Sequence, residues 1–202
     1  RKSFFLLKEN LYRLLNYGGP DGEIGASMRY LSQRFTAPNR VCMAVLTDVA
    51  TEELGHLEMV STIVHQLTAN LTVEEIENQG FADYYVDHAV GIWPQSAGGI
   101  PFNSCEFQSK GDPITDMFES MAAEQKARST YDNILRVVRD IPEIADPIRF
   151  LRAREVVHFQ RFGEALQSLQ DQLNSKNFYQ MNPSFDTGLT REPCDCQGEC
   201  VQ

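Results

Sequence analysis

The chain has 202 residues, 42% of them hydrophobic, and a formal net charge of -10. That length suits a single domain large enough to bury its own core, and the acidic balance argues against a nucleic-acid backbone or an anionic membrane surface as the main partner and favours cations. No apolar run approaches the roughly 20 residues of a membrane span, and the FFLL near the start is too short for the core of a secretory signal, so an intracellular protein is expected. Because the first residue is Arg1, the natural N-terminus is expected to be missing or processed, leaving room for an upstream targeting segment.

Residues 5–17 carry a short helical pattern that YGGPDG breaks with glycines and a proline. EIGASMRYLSQRF then predicts helix one, TAPNR a turn, and residues 39–68 helix two. Residues 69–111 show no sustained period. A connection that long, holding Tyr84, Tyr85, Trp93 and Phe102, is expected to pack mainly against other subunits. Asp112 followed by Pro113 is a strong helix start, so helix three runs to about Asp140. DIPEIADP reverses the chain, with Asp146 and Pro147 as the next expected cap, and helix four runs to about Leu173. Two short turns and one long crossover between helices two and three predict an all-α, ferritin-like four-helix bundle over residues 1–173. Residues 174–202, with Cys194, Cys196 and Cys200, are expected to form an extended or mobile tail. Five cysteines, three of them clustered there, do not make the framework of a small disulfide-stapled fold.

The packing stripes of these helices turn polar midway. On helix two the stripe reads Cys42, Leu46, Val49, Glu53, His56, Val60, Ile63, Leu67. On helix four it reads Ile148, Leu151, Glu155, His158, Phe162, Ala165, Leu169. On helix three, Ile114, Met117, Met121, Glu124, Arg128, Tyr131, Leu135 and Val138 follow the same spacing. Unpartnered ionisable groups on such a face would cost several kcal/mol, roughly, whereas a carboxylate and an imidazole three residues apart can share a cation. With four histidines in the chain, two Glu-x-x-His pairs arise by random placement in roughly 3 per cent of sequences of this composition. Helix one has its apolar stripe at Ile24, Met28, Leu31 and Phe35, with Glu23 and Tyr30 on the flank. Counted at about 1.5 Å per residue from the turns, Glu23 meets Glu53 and His56 at one height, and Glu124 lies in the same half as Glu155 and His158. The inward set Glu23, Glu53, His56, Glu124, Glu155 and His158 has the donors of a dinuclear carboxylate site. The alternative is a buried salt-bridge network with Arg128. His65, on the opposite face of helix two, His88, in the long connection, and Glu52, Glu58 and VEEIEN are expected to play no part, the glutamates as solvated charge.

Together, GGPDGEIGASMRYLSQRF, TEELGHLEM, MAAEQKARSTY and RFLRAREVVHFQRF resemble the manganese catalases, in particular the short type associated with bacterial spore coats, over about residues 9–172. The resemblance implies two manganese ions bridged by Glu53, with Glu23 and His56 completing one and Glu124 and His158 the other. It makes Glu155 an outer-sphere proton shuttle and Tyr30 an outer-sphere hydrogen-bond donor, and Arg128 joins them as a candidate catalytic residue. Ala123 departs from the pattern, standing where some members place an arginine over the site. Hydrogen peroxide is the implied substrate, disproportionated to water and dioxygen. A homo-oligomer, by the resemblance a hexamer, is expected in the cytoplasm or spore coat, with other coat proteins as potential partners. Two alternatives stand beside this reading. One is a di-iron ferritin-like oxidase or iron-handling protein, since the same donors suit iron; the other is a structural coat component with little activity.

Overall fold

The computed structural model describes residues 18–78, 82–85, 91–92, 94–96 and 99–175. The helical pattern at 5–17, the Tyr84 side chain, His88, Trp93 and the cysteine-bearing tail lie outside the described residues. Within them the chain is a ferritin-like helical bundle: α1 (Glu23–Gln33), α2 (Arg40–Thr68), α3 (Val73–Asn78), α4 (Ala82–Tyr85), α5 (Pro113–Val138) and α6 (Pro142–Ser175), with one 3-10 turn at Ser104–Glu106. α1 packs on α2 and α5 on α6, and contacts of α2 with α6 and of α1 with α5 join the two pairs.

The helix starts follow from local chemistry. Asn39 accepts the amide of Cys42 at 2.9 Å and Asp112 that of Thr115 at 2.8 Å, each satisfying an orphan donor of its helix, with Pro113 in the first turn of α5. α1 begins under a tight loop. A Cβ on Gly25 would lie 2.0 Å from the Pro20 carbonyl oxygen, so only glycine lets that backbone close over the first turn and turn Glu23 inward.

Three expectations are corrected. α6 starts at Pro142, five residues before the expected cap, and runs through Pro147. The amides of Ile144 and Ala145 reach the Ile141 carbonyl at 3.1 and 2.8 Å, and burial of Ile144, Ala145 and Ile148 offsets the backbone bond that Pro147 cannot make. Asp146 pairs with Arg149. On α1 the inward face is small and polar: Glu23, Gly25, Ser27, Arg29, Tyr30 and Gln33 are buried, while Phe35 is 80% exposed. Several of these polar groups are bonded, Ser27 Oγ to the Ala50 carbonyl at 2.8 Å and Ser120 Oγ to Gln33 Oε1 at 3.0 Å. On α5 the buried stripe runs Met117, Ser120, Glu124, Tyr131, Ile134 and Val138, so Arg128 and Leu135 flank it. Part of the long connection packs on its own bundle. Tyr85 is buried with its hydroxyl on that of Thr68, and Leu71, Ile76 and Ile92 pack on the same cluster.

Two apolar clusters result. One holds Val60, Ile63, Val64, Tyr131, Ile134, Ile148 and Leu151; the other Tyr30, Leu46, Val49, Met117, Phe162 and Leu169. The charged residues lie between them, where α2, α5 and α6 each turn polar.

Candidate metal centre

Glu23, Glu53, His56, Glu124, Glu155 and His158 are each at most 4% exposed. Glu53 from α2 is at the centre: its Oε2 is 2.7 Å from His56 Nδ1 and its Oε1 is 2.8 Å from His158 Nδ1. Glu23 Oε2 stands 3.8 Å from His56 Nδ1, and Glu124 Oε2 3.5 Å from His158 Nδ1, so each imidazole faces one further carboxylate. Glu155 Oε1 is 3.4 Å from His56 Nδ1. The two rings stack with centroids 5.3 Å apart. One donor atom each from Glu53, His56, Glu155 and His158 lie within 4.8 Å of one another.

Each end of the cluster is pinned by a tyrosine. Tyr30 donates to Glu124 Oε1 and Tyr131 to Glu23 Oε1. Burial first, and the adjacent carboxylates after it, hold both phenols well above their usual range, so both remain donors. The opposite nitrogen of His158 is also fixed. Its Nε2 is 2.9 Å from Glu52 Oε2, which Arg154 also holds through Nη2 at 2.7 Å and Nε at 3.1 Å. A carboxylate on the outer nitrogen of an imidazole fixes the tautomer and turns the other nitrogen inward, as in metal sites. Partial burial opposes ionisation of Glu52, but His158 and Arg154 outweigh it and lower its pKa.

Whether these residues fit metal ions is answered by their hydrogen bonding. Both oxygens of Glu53, Glu124 Oε2, Glu155 Oε1 and the Nδ1 atoms of His56 and His158 are buried without a hydrogen-bond partner, although they converge. Orphaned buried donor atoms of this kind are costly unless a cation completes them. Protons meet the same need in the metal-free protein. Burial disfavours a charged His56, but Glu155, Glu23 and Glu53 more than reverse this and push it up to about 12; His158 goes to about 10 through Glu124 and Glu53. Burial raises Glu155 to about 10 and Glu53 to about 7. The buried Glu and His donors thus form a metal-binding cluster of dinuclear type.

All six expected inward residues come together, with Tyr30 beside them. Arg128 does not join them. It bonds Asp132 at 2.6 Å and Gln125 at 2.8 Å on its own helix. His65 is exposed, as expected. Glu52, expected to be solvated, is a correction, since its oxygen bonds His158; Tyr131 was placed on the seam without a role. Tyr131 follows Glu124 by seven residues on the same face, a readable position, but its partner Glu23 is on another helix.

A cavity of about 20 Å³ reaches the cluster between Gly22, Ala26, Arg29, Tyr30, Ala123 and Ala127, with Glu23, Glu53, Glu124 and Glu155 in its wall. That is room for one or two waters. An open groove lined by Glu52, Gly55, Met59, Phe150 and Arg154 approaches His56 from another side.

Bundle and cluster together define a ferritin-like protein with a dinuclear-type metal site. The chain matches the model of manganese-containing catalases over residues 11–183 and belongs to that family. It is 44% identical over 168 residues to Protein CotJC of Bacillus subtilis, covering 83% of this chain and 88% of that one. It is 30% identical over 161 residues to a probable manganese catalase of Clostridium acetobutylicum, covering 80% of this chain and 71% of the other. Among solved structures, KatB, a manganese catalase from Anabaena, superposes with a TM-score of 0.69 at 29% identity, covering 81% of this chain and 73% of KatB.

Proposed function

We propose that the protein is a dimanganese catalase converting two molecules of hydrogen peroxide into dioxygen and two of water. The observation that carries the reading is the division of Glu53: one oxygen faces each histidine, and each histidine faces its own further carboxylate. In this reading Glu53 would be shared between two ions, with Glu23 and His56 holding one and Glu124 and His158 the other. Four buried carboxylates, Glu23, Glu53, Glu124 and Glu155, balance the charge of two divalent ions when the imidazoles are neutral. When bound, the pair supplies two-electron chemistry, accepting electrons from one peroxide and returning them to the next. The chain's own residues do the rest. Tyr30 and Tyr131 keep Glu124 and Glu23 in place, and Glu52 with Arg154 orients His158. Glu155 holds and releases one of the two protons that each half of the cycle moves, and the narrow cavity admits only small molecules. Arg128 is left out of this scheme, its charge being engaged by Asp132.

The resemblance to the short spore-coat type, together with the match to CotJC along 88% of that chain, supports a coat location and an oligomer. The exposed Phe35, just after α1, is compatible with assembly. One observation favours a second reading: Glu155 belongs to the tight four-residue cluster, as it would if it ligated iron in a di-iron oxidase. Elemental analysis of protein from its native source, with oxygen evolution measured on the same sample, decides. Two manganese ions per chain and steady oxygen release support the catalase; iron without oxygen release supports the alternative.

A further inference from the structure

Arg29 is a buried charge that the scheme above does not use. It is 6% exposed, and its Nε has no hydrogen-bond partner among the described residues. Of the residues lining the cavity over the cluster it is the one cation. Its guanidinium carbon lies 5.5 Å from the Tyr30 ring centroid, which holds the group against the cavity wall. Asp116 attracts it electrostatically, while the Asp116 oxygens accept the amides of Lys110 and Gly111 at 2.7 and 3.0 Å. Ala123 and Ala127, in the wall of the same cavity, have short side chains.

Leaving a buried guanidinium donor unpaired is costly. On the dinuclear reading, on which this inference rests, two divalent ions neutralise the four carboxylates of the cluster, so those carboxylates do not compensate Arg29. We propose that Arg29 makes the cavity a site for a small monovalent anion of two or three heavy atoms. During turnover that anion is the conjugate base of hydrogen peroxide, held by the guanidinium donors beside Tyr30 and drawn in ahead of the neutral acid.

Calorimetric titration of azide into protein incubated with Mn(II) tests this, using wild type, Arg29→Gln and Arg29→Lys, with metal content and thermal midpoint measured on every sample. Arg29→Gln is expected to bind azide about 10- to 100-fold more weakly, the contribution of a charge-assisted hydrogen bond, with metal content unchanged. Arg29→Lys, which keeps the charge but not the fork, falls between. A structural role alone would lower metal content or the midpoint without this selective loss. If Arg29→Gln does not fold, Arg29→Lys decides, and wild-type azide affinity in it overturns the proposal. Two bound ions with equal azide affinity in wild type and Arg29→Gln overturn the anion site alone. A wild type that takes up no ions overturns the dinuclear reading and this inference with it, and is recognised before azide is added.

Discussion

Glutamine at position 155 preserves the volume of the side chain and one carbonyl acceptor, but removes a carboxyl that exchanges protons 3.4 Å from His56 Nδ1. Burial first, and the neighbouring carboxylates after it, raise Glu155 to about 10 against the pull of His56. It therefore carries a proton at neutral pH in the metal-free protein, a state suited to a group that passes protons to and from peroxide oxygen. The shortest approaches to the two imidazole nitrogens are made by Glu53, at 2.7 and 2.8 Å. Glu155→Gln is thus expected to keep both ions while oxygen evolution falls by about 10²- to 10⁴-fold, equivalent to roughly 2.7–5.5 kcal/mol on the barrier. An oxygen electrode and elemental analysis on the same preparation read both quantities. Loss of an ion would refute the outer-sphere assignment and make Glu155 a ligand, as in the di-iron reading. Full activity with both ions bound would refute the proton-transfer role.

Glu53→Gln should lose at least one ion together with activity, since the two oxygens of this carboxylate each face one histidine; a variant retaining two ions in elemental analysis contradicts the bridge. Glu52→Ala should weaken metal binding about 10- to 100-fold, measured by competition with a chelator, because His158 loses the partner of its Nε2; unchanged affinity would show that Arg154 and Glu52 pair for stability alone. Without metal, the protein should lose thermal stability as pH rises from 6 to 9. Folded Glu155 at about 10 and folded His56 at about 12 bind protons that the unfolded chain releases near 4.5 and 6.5, so the stabilisation is complete below those lower values and is lost toward the higher ones. Each group contributes up to about 1.4 kcal/mol per pH unit in its window, and a midpoint that rises with pH in differential scanning calorimetry would contradict the shifts.

The bundle and the inward residues of α2 and α6 were readable in the sequence because the signal is a contradiction within one helix. An apolar stripe that admits a Glu and a His in register calls for a partner that a core does not provide. The cap at Asp112 was readable from local chemistry alone. What was not readable depended on contacts between helices. The buried face of α1 carries Ser27, Tyr30 and Gln33 because bonds to Ala50, Glu124 and Ser120 compensate them, and no periodicity within eleven residues reveals those bonds. Arg128 and Leu135 were placed on the stripe of α5 by a spacing choice of four and three that is ambiguous beyond Glu124; the packing resolves it in favour of Ile134. Glu52 reads as surface charge until α6 brings His158 and Arg154 to it. Pro147 reads as a helix start, yet burial of the turn before it extends the helix back to Pro142.

The dinuclear assignment is tested by anomalous scattering from crystals of the protein, recorded on both sides of the manganese absorption edge. Two peaks inside the bundle, one beside Glu23 and His56 and one beside Glu124 and His158, with Glu53 between them, are predicted to appear above the edge and weaken below it. A single peak, peaks outside the bundle, or a signal that follows the iron edge instead would contradict it.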